Sequence, residues 1–298
     1  MARIVLGLLQ TAQMQRTSTM TTRHRDLFAA LLIALGAAGS GHAATTYTYT
    51  YNYNLTVNSG CTGTWYASCG LTGTQTGSSV NPSPAPADPN APANTIAATA
   101  TGWANTQGTT NVNLEQGQLQ SWSGGLGVKH ADSETDSSPQ HATDNDGRLE
   151  SILYSFNQAI SLTQVNITWY QNDSDITVLA FTGGSFDVNT NLKGLSYANL
   201  LTNGWTLVGH YSNLHLNGNK TNVNTGISSS YWLIGAANSL GQSGSGLDSS
   251  LDYVKIGALA AAVTTQFTPP PPPTGVPEPG TLALFGLGAL MLARARRR

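Results

Sequence analysis

The residues best suited to chemistry are six carboxylates in "DSETDSSPQHATDNDGRLE": Asp132, Glu134, Asp136, Asp144, Asp146 and Glu150. Hard oxygen donors spaced by single residues suit a calcium ion, and Gly147 permits a tight turn beside them. Asp132, Glu134, Asp136, Asp144 and Asp146 are therefore the candidate ligands, with Ca²⁺ the one cofactor the chain suggests. An EF-hand needs Gly at its sixth position and Glu at its twelfth. Counted from Asp132, those places hold Ser137 and Thr143, so that motif fails. The competing reading is a solvated acidic loop with turn-forming Asp and Asn. "NDSD" at 172–175, ahead of an apolar run, reads as a hairpin turn.

Catalytic patterns are missing. A glycoside hydrolase needs two carboxyls about 5–9.5 Å apart, and no spacing here selects a pair. No serine lies in a G-x-S-x-G elbow. His210 and His215 lack the glutamate of H-E-x-x-H. The expectation is a non-enzymatic protein. Trp103, Trp122, Trp169, Trp205 and Trp232 fall in predicted strands. On an exposed face such rings could stack on sugars; in a core they pack.

These residues must be positioned by strands. Only 9% of residues are charged, against roughly 25% in average domains, which disfavours long Lys/Glu-rich helices. "TTYTYTYNYNLTV" at 45–57 alternates strictly, with Tyr47, Tyr49, Tyr51 and Tyr53 on one face. That row is either a sugar-binding platform or the half-buried face of a sheet. Short strands continue, at 149–156, 163–170, 175–181, 204–211, 231–237 and 251–260 among others, and only 195–202 hints at a helix. The pattern predicts an all-β protein, an antiparallel β-sandwich or jelly-roll-like domain. Residues 44–74 form a β-hairpin region, 75–94 a linker with five prolines, and 95–268 the main domain. Cys61 and Cys69 are spaced for a local disulfide.

Charge sits at the ends. Between residues 44 and 268 there are five basic residues against thirteen acidic ones, a net −8. Such a body repels phosphate, which argues against nucleic acid as a partner. Arg23 and Arg25 precede "LFAALLIALGAAG", and small Gly41 and Ala43 follow. This is a secretory signal pattern, read by signal peptidase after Ala43, with residues 1–43 its leader. Met20 makes a tidier start than Met1 for that leader.

At the other end, five prolines give residues 269–275 the character of an extended stalk. Then come Pro277-Glu278-Pro279, a short apolar helix over residues 281–293, and Arg294, Arg296, Arg297 and Arg298. By the positive-inside rule the arginines hold the terminus in the cytoplasm and leave the body outside. A full transmembrane helix needs about 20 apolar residues, so this short one is read as a transient anchor. In this order the three parts, over 276–298, resemble the PEP-CTERM sorting signal. The resemblance implies processing by exosortase, a membrane-embedded protease-transpeptidase, near the triplet. "HATDNDGRLESILYSF", "ITWYQNDSDITVLAFTG" and "SSSYWLIGA" with "LDYVKIG" also resemble exosortase-dependent bacterial surface proteins. These resemblances imply a location at the cell envelope, outer surface or extracellular matrix. The implied role is structural or adhesive in exopolysaccharide or biofilm. A carbohydrate-binding or calcium-dependent adhesin and a secreted glycan hydrolase are the alternatives.

Overall fold

Period-two alternation of tyrosine with threonine and asparagine makes one strand, β1 (Thr45–Asn54), and all four of its tyrosines are buried. The computed structural model describes residues 43–56, 61–107, 112–132, 139, 141–223, 226–270 and 279–297. The leader, apart from Ala43, the Pro277-Glu278 part of the triplet and Arg298 lie outside the described residues. The described strands continue with β2 (Cys69–Asn81), β3 (Thr95–Gln107), β4 (Asn113–Gln116), β5 (Gln118–Trp122), β6 (Gly125–Lys129) and β7 (Thr143–Asp144). After them come β8 (Glu150–Asn172), β9 (Ile176–Phe181), β10 (Trp205–Tyr211), β11 (Lys220–Asn222), β12 (Ser229–Ala236) and β13 (Asp252–Phe267). With 52% strand and 12% helix, the all-β expectation holds.

Every ladder between the named strands is antiparallel. The order runs β10-β9-β12-β8-β3-β2-β1-β13-β6-β5, and β8 also pairs with β13. The pairings β8–β3–β2–β1–β13–β8 thus close on themselves, so the sheet folds over its own core. Two long strands make the closure. Residues 149–156 and 163–170, read as separate strands, are one 23-residue strand, β8. The stretch between them has neither glycine nor proline, and it buries Ile160 and Leu162. Register shifts at Lys255/Ile256, Ile256/Ala258 and Ala260/Ala261 mark irregularities along its ladder with β13. Bulges of this kind bend a strand and let it serve both layers.

The core divides along the pleat. Ile152 and Tyr154 of β8, Val178 of β9 and Trp232 of β12 face the tyrosine row in the main core. Their neighbours Leu153, Leu179 and Leu233 face a second cluster with Trp103, Tyr197, Leu200 and Trp205. That cluster is covered by the connection holding α1 (Val188–Asn191) and a 3-10 turn (Tyr197–Thr202). A strand covered on both faces loses its alternation, which is why "ITVLAF" is buried at all six positions.

Two expectations shift. The tyrosine row is no sugar platform, because Tyr47, Tyr49, Tyr51 and Tyr53 are at most 8% exposed. The 75–94 linker shrinks to 82–94, because residues 75–81 are the outer half of β2 and pair with β1. Prolines begin only at Pro82, so nothing before it obstructs a strand. The remaining loop is fastened to the row: Tyr47 Oη donates to Pro86 O at 2.7 Å and Tyr51 Oη to Ala93 O at 2.8 Å. Proline-rich backbone has more acceptors than donors, and the phenols supply protons to it. Asp88 accepts from Tyr49 Oη at 2.9 Å and from Thr265 Oγ1. Hairpin and main domain are consequently one unit, Thr45–Phe267.

The Cys61–Cys69 disulfide is formed, and both cysteines lie in the main core. Its ring is laced to β5 by Ser121 N to Cys61 O at 2.7 Å and Tyr66 N to Leu119 O at 2.8 Å. In the other unit, α2 (Pro279–Ala295) has 17 residues. Leu284, Phe285, Leu287, Leu290, Met291 and Leu292 are all exposed on it.

Candidate functional site

The acidic segment does not assemble as a cation site among the described residues. Asp132 Oδ2 receives Arg148 Nε at 2.6 Å. Asp144 is buried, and its Oδ1 accepts Asp146 N at 2.9 Å. Asp146 Oδ2 accepts Tyr253 Oη at 2.7 Å. Each of these contacts fastens the segment to itself or to β13. Glu134 and Asp136 lie outside the described residues.

A different set of carboxylates converges. Asp173 follows β8, Asp175 precedes β9 and Asp252 opens β13; one oxygen from each lies within 4.8 Å of the others. All three are at most 5% exposed. The connection that presents the first two begins at Asn172, which has φ 60°, a left-handed conformation asparagine tolerates better than most residues. Alternate residues of extended chain share a side, so Asp173 and Asp175 can reach one point.

Backbone and amide groups hold these side chains. Asp252 Oδ1 accepts Asp175 N at 2.7 Å, and its Oδ2 accepts Asn145 Nδ2 at 2.8 Å. Asn145 Oδ1 in turn accepts Asp252 N at 2.8 Å. Asp175 Oδ1 accepts Asn213 N at 2.6 Å, and Asp173 Oδ1 accepts Ser174 N at 2.7 Å. His215 Nδ1 stands 3.4 Å from Asp173 Oδ1 and 2.8 Å from Ser174 Oγ. Burial, then the like charges of Asp175 and Asp173, push the Asp252 carboxyl up to about 7. Burial raises Asp175 as well, with Asp173 and Asp248 adding to it. "NDSD", expected as a hairpin turn, instead connects two strands that do not pair with each other, since β9 pairs with β10 and β12. The sequence reading missed that D-x-D faces inward to Asp252; the spacing was visible, but Asp252 is remote in sequence.

A second cluster is aromatic. Trp122 at the end of β5 stacks on His141 at 4.3 Å, and Trp65 of the disulfide ring meets Trp122 edge-on at 6.3 Å. Lys255 Nζ stands 4.7 Å from the Trp122 ring centre and 4.8 Å from that of Trp169. Trp65, Trp122 and Trp169 are half-buried, whereas Trp103, Trp205 and Trp232 are core residues. The five tryptophans read from sequence thus divide between packing and a partly open face.

The tail completes the inventory. At 1.5 Å per residue α2 is about 26 Å long, short of the roughly 30 Å hydrocarbon core. Among the described residues no helix is long and apolar enough to cross a membrane.

The described chain holds an all-β unit and, in the other unit, a short apolar helix with a basic end. Residues 275–298 match the PEP-CTERM protein-sorting motif. This motif indicates an exosortase-targeted secreted surface protein, anchored transiently in the membrane. No curated protein and no solved structure matches the chain.

Proposed function

We propose that the chain is a non-enzymatic matrix or surface protein, cleaved by exosortase at its tail and held in exopolysaccharide or biofilm. The observation that carries this reading is the sorting motif at 275–298. A helix too short for a stable span suits a precursor held only until it is cut. The described carboxylates of the acidic segment are engaged internally, holding Arg148, Tyr253 and two backbone amides. A carbohydrate-binding adhesin is the second reading, favoured by partly exposed Trp65 at the edge of the aromatic cluster.

Mass spectrometry of the protein from cells with and without exosortase tests the proposal. The expected mature chain ends near Pro277-Glu278-Pro279 in normal cells and keeps Arg298 in cells lacking the enzyme. A mature chain that still carries Arg298 in normal cells would sink it.

A further inference from the structure

Asp173, Asp175 and Asp252 set a problem that their surroundings do not solve. Three carboxylates within 4.8 Å of one another, all buried, cannot stay ionised together without a counter-charge. Among the described residues, the ion-pair contact to the group is His215, at 3.4 Å from Asp173. Asp248, exposed on the glycine-rich loop 241–251, adds a fourth carboxylate beside Asp173 and Asp175. Moreover Asp175 Oδ2 is buried and has no hydrogen-bond partner, although its sister oxygen takes the Asn213 amide. A buried carboxylate oxygen left bare costs several kcal/mol unless something else coordinates it.

We propose that Asp173, Asp175 and Asp252 bind a calcium ion, with the charge of exposed Asp248 adding to its attraction. The donors are all hard oxygens, which select Ca²⁺, Mg²⁺ or Mn²⁺ over zinc or copper. Calcium binds oxygen at about 2.3–2.6 Å, so its ligands stand at most about 5.2 Å apart, and the three oxygens lie within 4.8 Å of one another. Magnesium, at about 2.0–2.1 Å, needs a tighter cage. The carboxylates are also held in advance: Asn145, Asn213 and the Ser174 and Asp175 amides fix one or both oxygens of each. Each oxygen has a second lone pair free for a cation. The ion would staple the end of β8, the start of β9 and the start of β13. The first two are close in sequence, but the start of β13 is remote from both.

This site is distinct from the segment holding Asp132, and calorimetric titration of metal-stripped full-length protein with calcium chloride separates the two. One calcium is expected to bind with Kd between about 10⁻⁵ and 10⁻³ M, the span from sensors to extracellular modules, and magnesium more weakly. Calcium is expected to raise the melting temperature. Asp175→Asn should lower the affinity at least tenfold and abolish the thermal shift. Asp248→Asn changes an exposed residue, so it tests the site even where the buried variant fails to fold; it should lower affinity about threefold, by removing one of four charges. Asp132→Asn should change neither readout. No heat and no thermal shift up to about 10 mM calcium, ten times the weak limit for extracellular modules, would overturn the proposal. So would wild-type affinity in Asp248→Asn, or binding lost in Asp132→Asn.

Discussion

Lys255 is 4% exposed, set between the faces of Trp122 and Trp169, with His141 Nδ1 at 3.2 Å from its Nζ. Burial depresses its pKa to about 8, whereas an unfolded lysine titrates near 10.4. Below pH 8 both states are charged, and the folded one carries the whole desolvation cost. Between about 8 and 10.4 the unfolded chain binds the extra proton, so stability rises with pH. Buried Tyr154 and Tyr197, raised by desolvation, act oppositely once unfolded tyrosines ionise near pH 10. Urea unfolding is therefore expected to become harder from about pH 8 to 9.5, inside that window. Lys255→Met is expected to lose this rise. The same slope in the variant would show that another group is responsible. Nothing near Lys255 in sequence announces this environment, because its rings come from β5 and β8. The aspartate group hides for the same reason: Asp173 and Asp175 are two residues apart in the chain, but Asp252 lies beyond four intervening strands. Residue types could be read locally; their convergence depends on long-range register.

At the scale of elements, whatever has a short period was legible. The alternation in 45–54 gives β1 and its buried face directly, because the side-chain period of a strand is two. The length of β8 was not, since the interval 157–159 resembles a gap and stays largely exposed within the continuous strand. Residues 75–81 looked like linker by composition and became strand because β1 offers an edge to pair with. The disulfide was legible from spacing, and its consequence can be stated. Closing an eight-residue separation removes chain entropy worth about 2–3 kcal/mol from the unfolded state. A Cys61→Ser, Cys69→Ser double variant is expected to lose about that much in urea denaturation. A loss under about 0.5 kcal/mol would mean that the hydrogen bonds to β5 hold the ring unaided.

For the whole molecule, the charge distribution restricts what an adhesive face can recognise. The body carries net −8 and so repels anionic polymers at long range. A polysaccharide contact must then rest on short-range forces, and partly exposed Trp65, which meets Trp122 edge-on, offers a ring for stacking on sugars. Stacking on a neutral glycan involves no counter-ion release, so salt should leave it nearly unchanged. The exported protein is expected to bind a neutral glucan with affinity constant to about twofold between about 20 mM and 500 mM NaCl, where the Debye length falls well below 10 Å. Trp65 sits in the disulfide ring rather than in the core, so Trp65→Ala can remove a platform without opening a cavity. Loss of one stacking ring is worth about 1–2 kcal/mol, hence roughly a tenfold weaker affinity at every salt concentration. Binding that collapses with salt would point instead to Lys129 and Lys255, the cations beside these rings. Retention unchanged in Trp65→Ala would remove the aromatic face from the adhesive reading and leave the sorting tail to stand alone.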